Sequence, residues 1–253
     1  MKVIILSGGF GTRLGEITES IPKPMVKIGT MPILLHLMKY YSKFNFNEFY
    51  LALGYKSEVI KNFFINYNSH TSDLKISLEN NNIEFISEAQ RLDWKINLID
   101  TGLNTMTGGR LRQLRKHLDE TFLLTYGDGL SDVDLNELIS FHKKHKKLVT
   151  VTAVHPNARF GELSLDGKKV VNFEEKPNIS EGWINGGFFV MEPEFIDMID
   201  DDHSILEREP LEMAATRGEL MAFQHEGFWH CMDTPRDLAN LNQIWNSDNC
   251  PWK

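Results

Sequence analysis

The sequence predicts an α/β fold with a mostly parallel central sheet, helices on both faces and inserted β-hairpin elements. Apolar runs alternate with stretches of helical periodicity along most of the 253 residues, a pattern typical of strands and helices that follow one another in turn. Several of these runs are continuous rather than alternating, as expected of strands buried on both faces. Beyond residue 155, Asp166 and Gly167 separate two short apolar runs, which predicts a hairpin.

The individual elements follow from local signals. Val3–Leu6 is an apolar run that ends at a glycine pair, and Pro32 precedes a helical pattern over 32–44. Ser57 is expected to cap the next helix. The other predicted strands are Glu48–Leu53, Ile83–Ile86, Lys95–Asp100, Phe122–Tyr126, Val149–Val154 and Gly187–Met191, with at least one more within Phe223–Met232. The other predicted helices contain Leu111 to Leu118 and Leu135 to Ile139, and a last helix spans Pro235–Trp245.

Composition restricts the class of protein. The length and the absence of a linker predict one domain over 1–253, and hydrophobic residues at 42% are enough for a core. A net charge of −8 gives no basic surface for nucleic acid. The apolar run after Met1 is too short for a signal peptide or a membrane span. We therefore expect a cytoplasmic protein that binds neither nucleic acid nor membrane.

A glycine-rich loop follows the first strand directly. Ser7-Gly8-Gly9-Phe10-Gly11-Thr12-Arg13 places three glycines where the backbone can approach phosphate oxygens, and Arg13 adds a cationic fork. The spacing differs from both the dinucleotide-binding fingerprint and the P-loop, which counts against a dehydrogenase and against an ATPase of that class. Shortly after it, Pro22 and Pro24 flank Lys23 and fix its direction.

Together these two segments resemble the sugar-phosphate nucleotidyltransferase family, with Ser7 where the family commonly has Ala. The resemblance implies a Rossmann-like nucleotide-diphospho-sugar transferase fold, with a nucleotide-binding part at about 1–155 and a sugar-phosphate-binding part at about 156–253. It also implies catalytic roles for Arg13, Lys23 and Lys176, which would hold the departing pyrophosphate and the two reacting phosphates. The nucleotide-binding residues that it implies are Leu6, Ser7, Gly8, Gly9, Gly11, Thr12, Arg13, Lys23, Thr107, Arg110 and Asp128.

Two aspartates are candidates for a metal site. Asp128 follows the strand Phe122–Tyr126, at a strand end where ligands bind in open α/β sheets, although Asp in a Gly-Asp-Gly turn is common. Asp233 follows a later strand candidate. The resemblance implies that both hold Mg²⁺, which proteins bind through one or two carboxylates plus phosphates and waters. Asp132 is interpreted as a helix N-terminal residue, and Cys231, which has no evident catalytic partner, as a packing residue.

The second half of the chain carries the segments that the resemblance assigns to the sugar phosphate. Glu175 and Lys176 match a Glu-Lys-Pro segment, and Asn185, Gly186 and Gly187 match an Asn-x-Gly segment. The resemblance implies that Lys176 contacts the sugar phosphate and that Glu175 and Asn185 meet hydroxyls. Without it, the first segment would be a solvated surface turn and the second a strand-edge bulge.

Met106-Thr107-Gly108-Gly109-Arg110-Leu111 further resembles the cytidylyltransferase branch of the family. That branch implies CTP and glucose 1-phosphate as partners, CDP-glucose as product and a homo-oligomer. Thr107 and Arg110 are then expected near the nucleotide, beside free amides at a helix start. The open alternatives are another nucleoside triphosphate or sugar 1-phosphate, and a non-catalytic regulatory homologue that only binds a nucleotide sugar.

Overall fold

A computed structural model describes residues 1–86, 92–156, 162–174 and 182–253. Short 3-10 turns cover Thr12–Leu14, Lys23–Met25, Arg115–His117 and Pro193–Met198. The helices are α1 Ile17–Ser20, α2 Ile33–Lys43, α3 Ser57–Ile65, α4 Tyr67–Thr71, α5 Thr107–Gln113, α6 Leu135–His145, α7 Glu209–Thr216 and α8 Pro235–Trp245.

The strands divide into one central sheet and several two-stranded ladders. Within the described ranges the central sheet has seven strands, in the order β14-β10-β13-β8-β1-β4-β7. The strands are β1 Val3–Leu6, β2 Lys27–Ile28, β3 Met31–Pro32, β4 Glu48–Leu53, β5 Leu74–Ser77, β6 Asn82–Phe85, β7 Lys95–Asp100, β8 Phe122–Tyr126, β9 Gly129–Ser131, β10 Val149–Val154, β11 Glu162–Asp166, β12 Lys169–Glu174, β13 Ile184–Met191, β14 Leu220–His225 and β15 Trp229–Cys231.

The central sheet is mostly parallel, as predicted. β1 pairs with β4 and β8 in parallel, β4 with β7 in parallel and β10 with β14 in parallel. β13 is the exception, because it runs antiparallel to both of its neighbours, β8 and β10. The hairpin β11–β12, predicted from Asp166-Gly167, is confirmed.

Both faces of this sheet are buried. Successive side chains of a strand point to opposite faces, and in β1 the side chains of Val3 and Ile5 join one core while those of Ile4 and Leu6 join the other. The first core contains α2 and α6 side chains such as Leu37 and Leu138, and the second contains α5 and α7 side chains. The continuous apolar runs of the sequence therefore reflect a sheet covered on both sides.

The register of β1 and β8 brings two loops together at one sheet edge. Leu6 pairs with Tyr126 in a parallel ladder, so the glycine-rich loop and the Gly127-Asp128 turn leave the sheet side by side. The short ladder of β9 with β15 then places Cys231 opposite Gly129, and the amide of Met232 donates to the carbonyl oxygen of Asp128 at 2.9 Å. This ladder is what carries the segment containing Asp233 to the same edge.

Two local predictions are wrong. Lys56, with φ of 50°, precedes α3, and Ser57 is already helical. Asp134 caps α6 by accepting from the amides of Asn136 and Glu137, whereas Asp132 lies against His225 Nε2 at 2.9 Å. The strand predicted over Ile83–Ile86 is confirmed as β6, which spans Asn82–Phe85 and pairs with β5 outside the central sheet. None of the helices described here is long and apolar enough to cross a membrane.

Candidate active site

The loop after β1 is the first wall of a cleft of about 570 Å³. Gly11 adopts a left-handed conformation with φ of 65°, which a side chain would disfavour, and the backbone then turns through Thr12–Leu14. The eleven residues predicted to bind the nucleotide all line this cleft, and it also includes Tyr126. Its lining from the predicted set is Leu6, Ser7, Gly8, Gly9, Gly11, Thr12, Arg13, Lys23, Thr107, Arg110 and Asp128.

Lys23 lies between two carboxylates. Its Nζ is 2.6 Å from Asp128 Oδ2 and 2.6 Å from Asp233 Oδ1. Ile21 is extended before Pro22, whereas Lys23 begins a 3-10 turn before Pro24. Burial lowers the pKa of Lys23, but the charge of Asp128 and the hydrogen bonds to both carboxylates outweigh burial and raise the pKa overall. The side chain is therefore a fixed ammonium cation between the two aspartates.

The two aspartates meet although 105 residues separate them in sequence. Oxygens of Asp128 and Asp233 and the Sγ of Cys231 all lie within 4.8 Å of one another. Arg13 reaches the same group from the loop, with Nη1 2.7 Å from Asp233 Oδ2, and its side chain is 70% exposed. The donor set and the ammonium held between the carboxylates show that a cation fits here. The structure thus contains an acidic cluster that can hold a divalent metal ion.

Cys231 is the member of this cluster that the sequence interpretation missed. Burial raises the pKa of its thiol, and the negative charge of Asp128 raises it further. The thiol is therefore neutral in the protein as described. The signal that could have identified it was its position two residues before Asp233 in the sequence.

Arg110 is buried, with 4% of its surface exposed. Its guanidinium lies within hydrogen-bonding distance of the hydroxyl of Thr101 and of main-chain oxygens at Leu53, Gly102, Leu103 and Gly8. Burial lowers the pKa of Arg110, and Asp100 partly counteracts this. The side chain lines the cleft, but its donors already serve the protein backbone. Its clearest effect is to tie the glycine-rich loop to the segment that follows β7.

The start of α5 does not offer the free amides that were predicted. The amides of Gly108 and Gly109 donate to the carbonyl oxygen of Ser204 at 3.0 and 3.2 Å, and the amide of Met106 donates to Asp202 at 2.9 Å. The expectation failed because a distant segment, between β13 and α7, folds over the helix start. The hydroxyl of Thr107, which lines the cleft, is also engaged by this segment.

A chain of side-chain hydrogen bonds joins α5 to β13. The carboxylate of Glu207 accepts from Thr107 Oγ1 at 2.7 Å and from the hydroxyl of Tyr126, and Asn185 Nδ2 lies 3.3 Å from that hydroxyl oxygen. Burial, and then the charge of Glu207, raise the pKa of Tyr126, so the hydroxyl stays protonated and donates. Sequence reasoning missed Tyr126 and Glu207, because nothing local distinguishes a glutamate in Glu207-Arg208-Glu209 from a surface residue.

The Asn185-Gly186-Gly187 segment lies in β13 beside this chain. Asn185 Oδ1 accepts from the amide of Gly187 at 2.8 Å, and Trp229 Nε1 donates to the carbonyl oxygen of Gly186 at 2.7 Å. Gly187 has φ of 82° and packs against the Tyr126 ring, so a side chain there would clash. Glu175 and Lys176 lie outside the described residues.

A second cavity, of about 790 Å³, has Asp233 and Cys231 in its lining. Ile184, Trp229 and the polar side chains of α8, including Arg236 and Asn240, complete much of its wall. Asp128 lines the first cleft and Asp233 lines the second cavity. The carboxylate pair therefore stands where the two spaces approach one another.

Comparison with known proteins defines the class. The family model described as nucleotidyl transferase matches residues 2–247, so the chain belongs to this family and the predicted resemblance is confirmed. A curated relative, the glucose-1-phosphate cytidylyltransferase of Salmonella typhi, is 48% identical over 255 aligned positions, which cover 100% of this chain and 99% of the relative.

Solved structures agree on the fold. HddC from Yersinia pseudotuberculosis complexed with GMP-PN is 23% identical and has a TM-score of 0.71, with 97% of this chain and 99% of that chain covered. UDP-glucose pyrophosphorylase complexed with UDP-glucose is 14% identical and has a TM-score of 0.69, with 96% of this chain and 97% of that chain covered. The predicted Rossmann-like fold of nucleotide-sugar enzymes is therefore confirmed.

Proposed function

We propose that the protein is a glucose-1-phosphate cytidylyltransferase, which converts CTP and α-D-glucose 1-phosphate into CDP-glucose and pyrophosphate. The observation that carries the chemistry is the cation-holding pair Asp128 and Asp233 at the end of a cleft lined by the glycine-rich loop. The full-length relative at 48% identity supports the choice of CTP and glucose 1-phosphate.

The reaction is an in-line attack by an oxygen of the sugar phosphate on the α-phosphorus of CTP. The phosphorus–oxygen bond to pyrophosphate breaks as the new one forms. A phosphate monoester has a second pKa of about 6, so the nucleophile is ionised near neutral pH and needs no general base. Catalysis then depends on alignment and on neutralising charge. Arg13 neutralises the departing pyrophosphate in this proposal, and amides of the glycine-rich loop hold the triphosphate.

The metal ion in this proposal is Mg²⁺, held by Asp128 and Asp233. When bound, Mg²⁺ would supply positive charge that offsets the negative charge of the substrate phosphates. Lys23, which pairs with both carboxylates, would hold the phosphates of CTP in this proposal.

The sugar phosphate is proposed to reach the carboxylate pair from the side of Asp233. Support comes from the cavity that Asp233 lines and from Asn185, whose amide lies against Tyr126 at the edge of the nucleotide cleft. Lys176 and Glu175 would complete this side by meeting the sugar phosphate and a hydroxyl. The division into a nucleotide-binding part, about 1–155, and a sugar-phosphate-binding part, about 156–253, in a single domain is part of the same proposal.

Pyrophosphate release tests the proposal. The purified protein is incubated with Mg²⁺ and each of CTP, UTP, dTTP, ATP and GTP, in combination with several sugar 1-phosphates. We expect release with CTP and glucose 1-phosphate. Release only with another pair would overturn the substrate assignment and keep the chemistry, while binding of CDP-glucose without any release would favour a regulatory homologue.

Asp128→Asn tests the metal assignment. Loss of a carboxylate from the pair should lower turnover at least about 100-fold, in line with the loss of a group that stabilises transition-state charge. Asp248→Asn, at an exposed position near the C-terminus, is the matched control and should keep its activity. Near-normal turnover of Asp128→Asn at saturating Mg²⁺ would contradict the assignment.

We also propose that the protein acts in the cytoplasm as a homo-oligomer. The hairpin β5–β6 and the residue after it expose apolar side chains of Ile76, Leu78, Ile83, Phe85 and Ile86, with exposed fractions from 53 to 85%. Exposed apolar side chains that lie together in this way are a feature of protein–protein interfaces. Light scattering after gel filtration tests this proposal, and a monomer at micromolar concentration would overturn it.

A further inference from the structure

The thiol of Cys231 lies in the same group of donors as the two carboxylates. β15 ends at Cys231, opposite Gly129 in the ladder with β9, and the next amide binds the carbonyl oxygen of Asp128. The ladder thereby fixes the backbone on both sides of the donor group. One oxygen of Asp128, one of Asp233 and the sulfur of Cys231 come within 4.8 Å of one another.

The ammonium of Lys23 marks where a cation is held in this group. It makes contacts of 2.6 Å with both carboxylates, and its side chain is only 10% exposed. The Lys23 ammonium pairs with the carboxylate oxygens. A metal ion at the same place would have two oxygen donors and one sulfur donor within reach.

The donor chemistry separates two kinds of cation. Mg²⁺ binds oxygen and keeps its waters, so it gains nothing from a thiol. Zn²⁺ and Cd²⁺ bind thiolate as well as carboxylate, and a mixed oxygen and sulfur set favours them. Because Mg²⁺ uses only the carboxylates, the two kinds of cation would compete for the same pair of aspartates.

We propose that Asp128, Cys231 and Asp233 form a binding site for thiophilic divalent cations, Zn²⁺ and Cd²⁺, in the nucleotide-free protein. Binding forms a sulfur–metal bond, releases the thiol proton to solvent and replaces the two ion pairs of Lys23; no electrons are transferred. The part of this inference that concerns competition with Mg²⁺ rests on the proposed function. The thiophilic site itself does not.

Cadmium titration of the nucleotide-free protein tests the proposal, since a cadmium–thiolate bond gives an ultraviolet charge-transfer band that needs no enzyme activity. We expect the band in wild type and in Cys250→Ser, which removes the other cysteine of the chain. We expect no band in Cys231→Ser, with cadmium affinity lowered by at least roughly 10- to 100-fold, the usual cost of disturbing a metal site. Circular dichroism confirms that each variant is folded.

A second measurement uses the wild-type chain and does not depend on any variant. Zn²⁺ should protect Cys231 from alkylation, as located by peptide mass, and Mg²⁺ at the same concentration should not. The proposal is overturned if no band forms in the wild type, if the band persists in folded Cys231→Ser, or if Zn²⁺ gives no protection. A band in a protein without transferase activity would overturn the proposed function and keep the thiophilic site.

Discussion

Arg110 donates a hydrogen bond from Nη2 to the carbonyl oxygen of Gly8 at 3.0 Å, although 102 residues separate the two in sequence. The guanidinium fills the space beside Gly8 where a side chain would otherwise be. The same Gly8 oxygen accepts from the amide of Tyr55 at 3.1 Å. Hydrogen bonds to Arg110 and Tyr55 thus tie the glycine-rich loop to two other segments of the chain.

Gly8→Ala should destabilise the protein. A β-carbon at this position would overlap the Arg110 guanidinium, and overpacking of this kind costs about 1–3 kcal/mol. Gly9→Ala is the matched control for stability, because no atom lies within 4 Å of the β-carbon it would add. Urea unfolding of both variants measures the difference. Equal stability of the two would show that Arg110 moves aside without cost.

Lys23→Met should strengthen the binding of divalent cations to the nucleotide-free protein while abolishing turnover. One unit charge at about 4 Å contributes about 4 kcal/mol at an effective dielectric constant of about 20, so removing this competitor should raise the affinity for Mg²⁺ more than about tenfold. Calorimetric titration with Mg²⁺ measures it, and Lys27→Met, at an exposed position on β2, is the control. Unchanged or weaker binding would show that Lys23 does not compete with the metal.

The hydrogen bond between Tyr126 and Glu207 should couple the two sides of the site. A double-mutant cycle with Tyr126→Phe and Glu207→Gln is expected to give an interaction energy of about 0.5–3 kcal/mol in kcat/KM for the sugar 1-phosphate, because Asn185 lies against the same hydroxyl. Tyr50 and Glu48 form a similar hydrogen bond, 3.2 Å long, outside the cleft. A double-mutant cycle on that pair is the control and should leave kcat/KM unchanged. Additive effects at Tyr126 and Glu207 would refute the coupling.

His142 should make the protein less stable in mild acid. Its Nδ1 lies 2.8 Å from Thr150 Oγ1, its Nε2 lies 3.1 Å from Glu192 Oε1, and its ring contacts His145. The ordinary pKa of this side chain is 6.5. Burial lowers the pKa of His142 by more than Glu192 raises it, so the net shift is downward. The unfolded chain then binds more protons than the folded one just below pH 6.5, so the free energy of unfolding decreases as the pH falls through that range.

Urea unfolding at about pH 7.5 and about pH 5.5 measures this dependence. His142→Gln should be less stable at both pH values, because it loses buried contacts, but should show a smaller decrease between them. The lowered pKa values of His36 and His145 leave part of the decrease in place. His70→Gln, at an exposed position, serves as the control. An unchanged decrease in His142→Gln would assign the dependence to other groups.

The sequence was a good guide to elements whose signals are local. The bounds of β4, β7, β8, β10 and α8 agree with the predicted ones. The four strands are apolar runs bounded by polar or turn residues, so their sequences alone indicate where the buried segment begins and ends. Helix α7 and strand β5 were not predicted. Helix α7 is short, so its helical periodicity is weak. Strand β5 belongs to a hairpin whose apolar side chains remain exposed in the single chain, so its sequence lacks the alternation of buried and exposed residues.

The sequence by itself determined the family, through its motifs, and the mostly parallel sheet, through its apolar runs; the resemblance also implied eleven nucleotide-binding residues, all of which lie in the lining of one cleft. Only the tertiary structure decided what those residues do to one another. It placed Lys23 between Asp128 and Asp233, brought Cys231 into the donor group and gave the donors of Arg110 to the backbone. Such contacts depend on how strands pair and how side chains exclude one another across more than 100 residues, and no local pattern in the sequence records those distances.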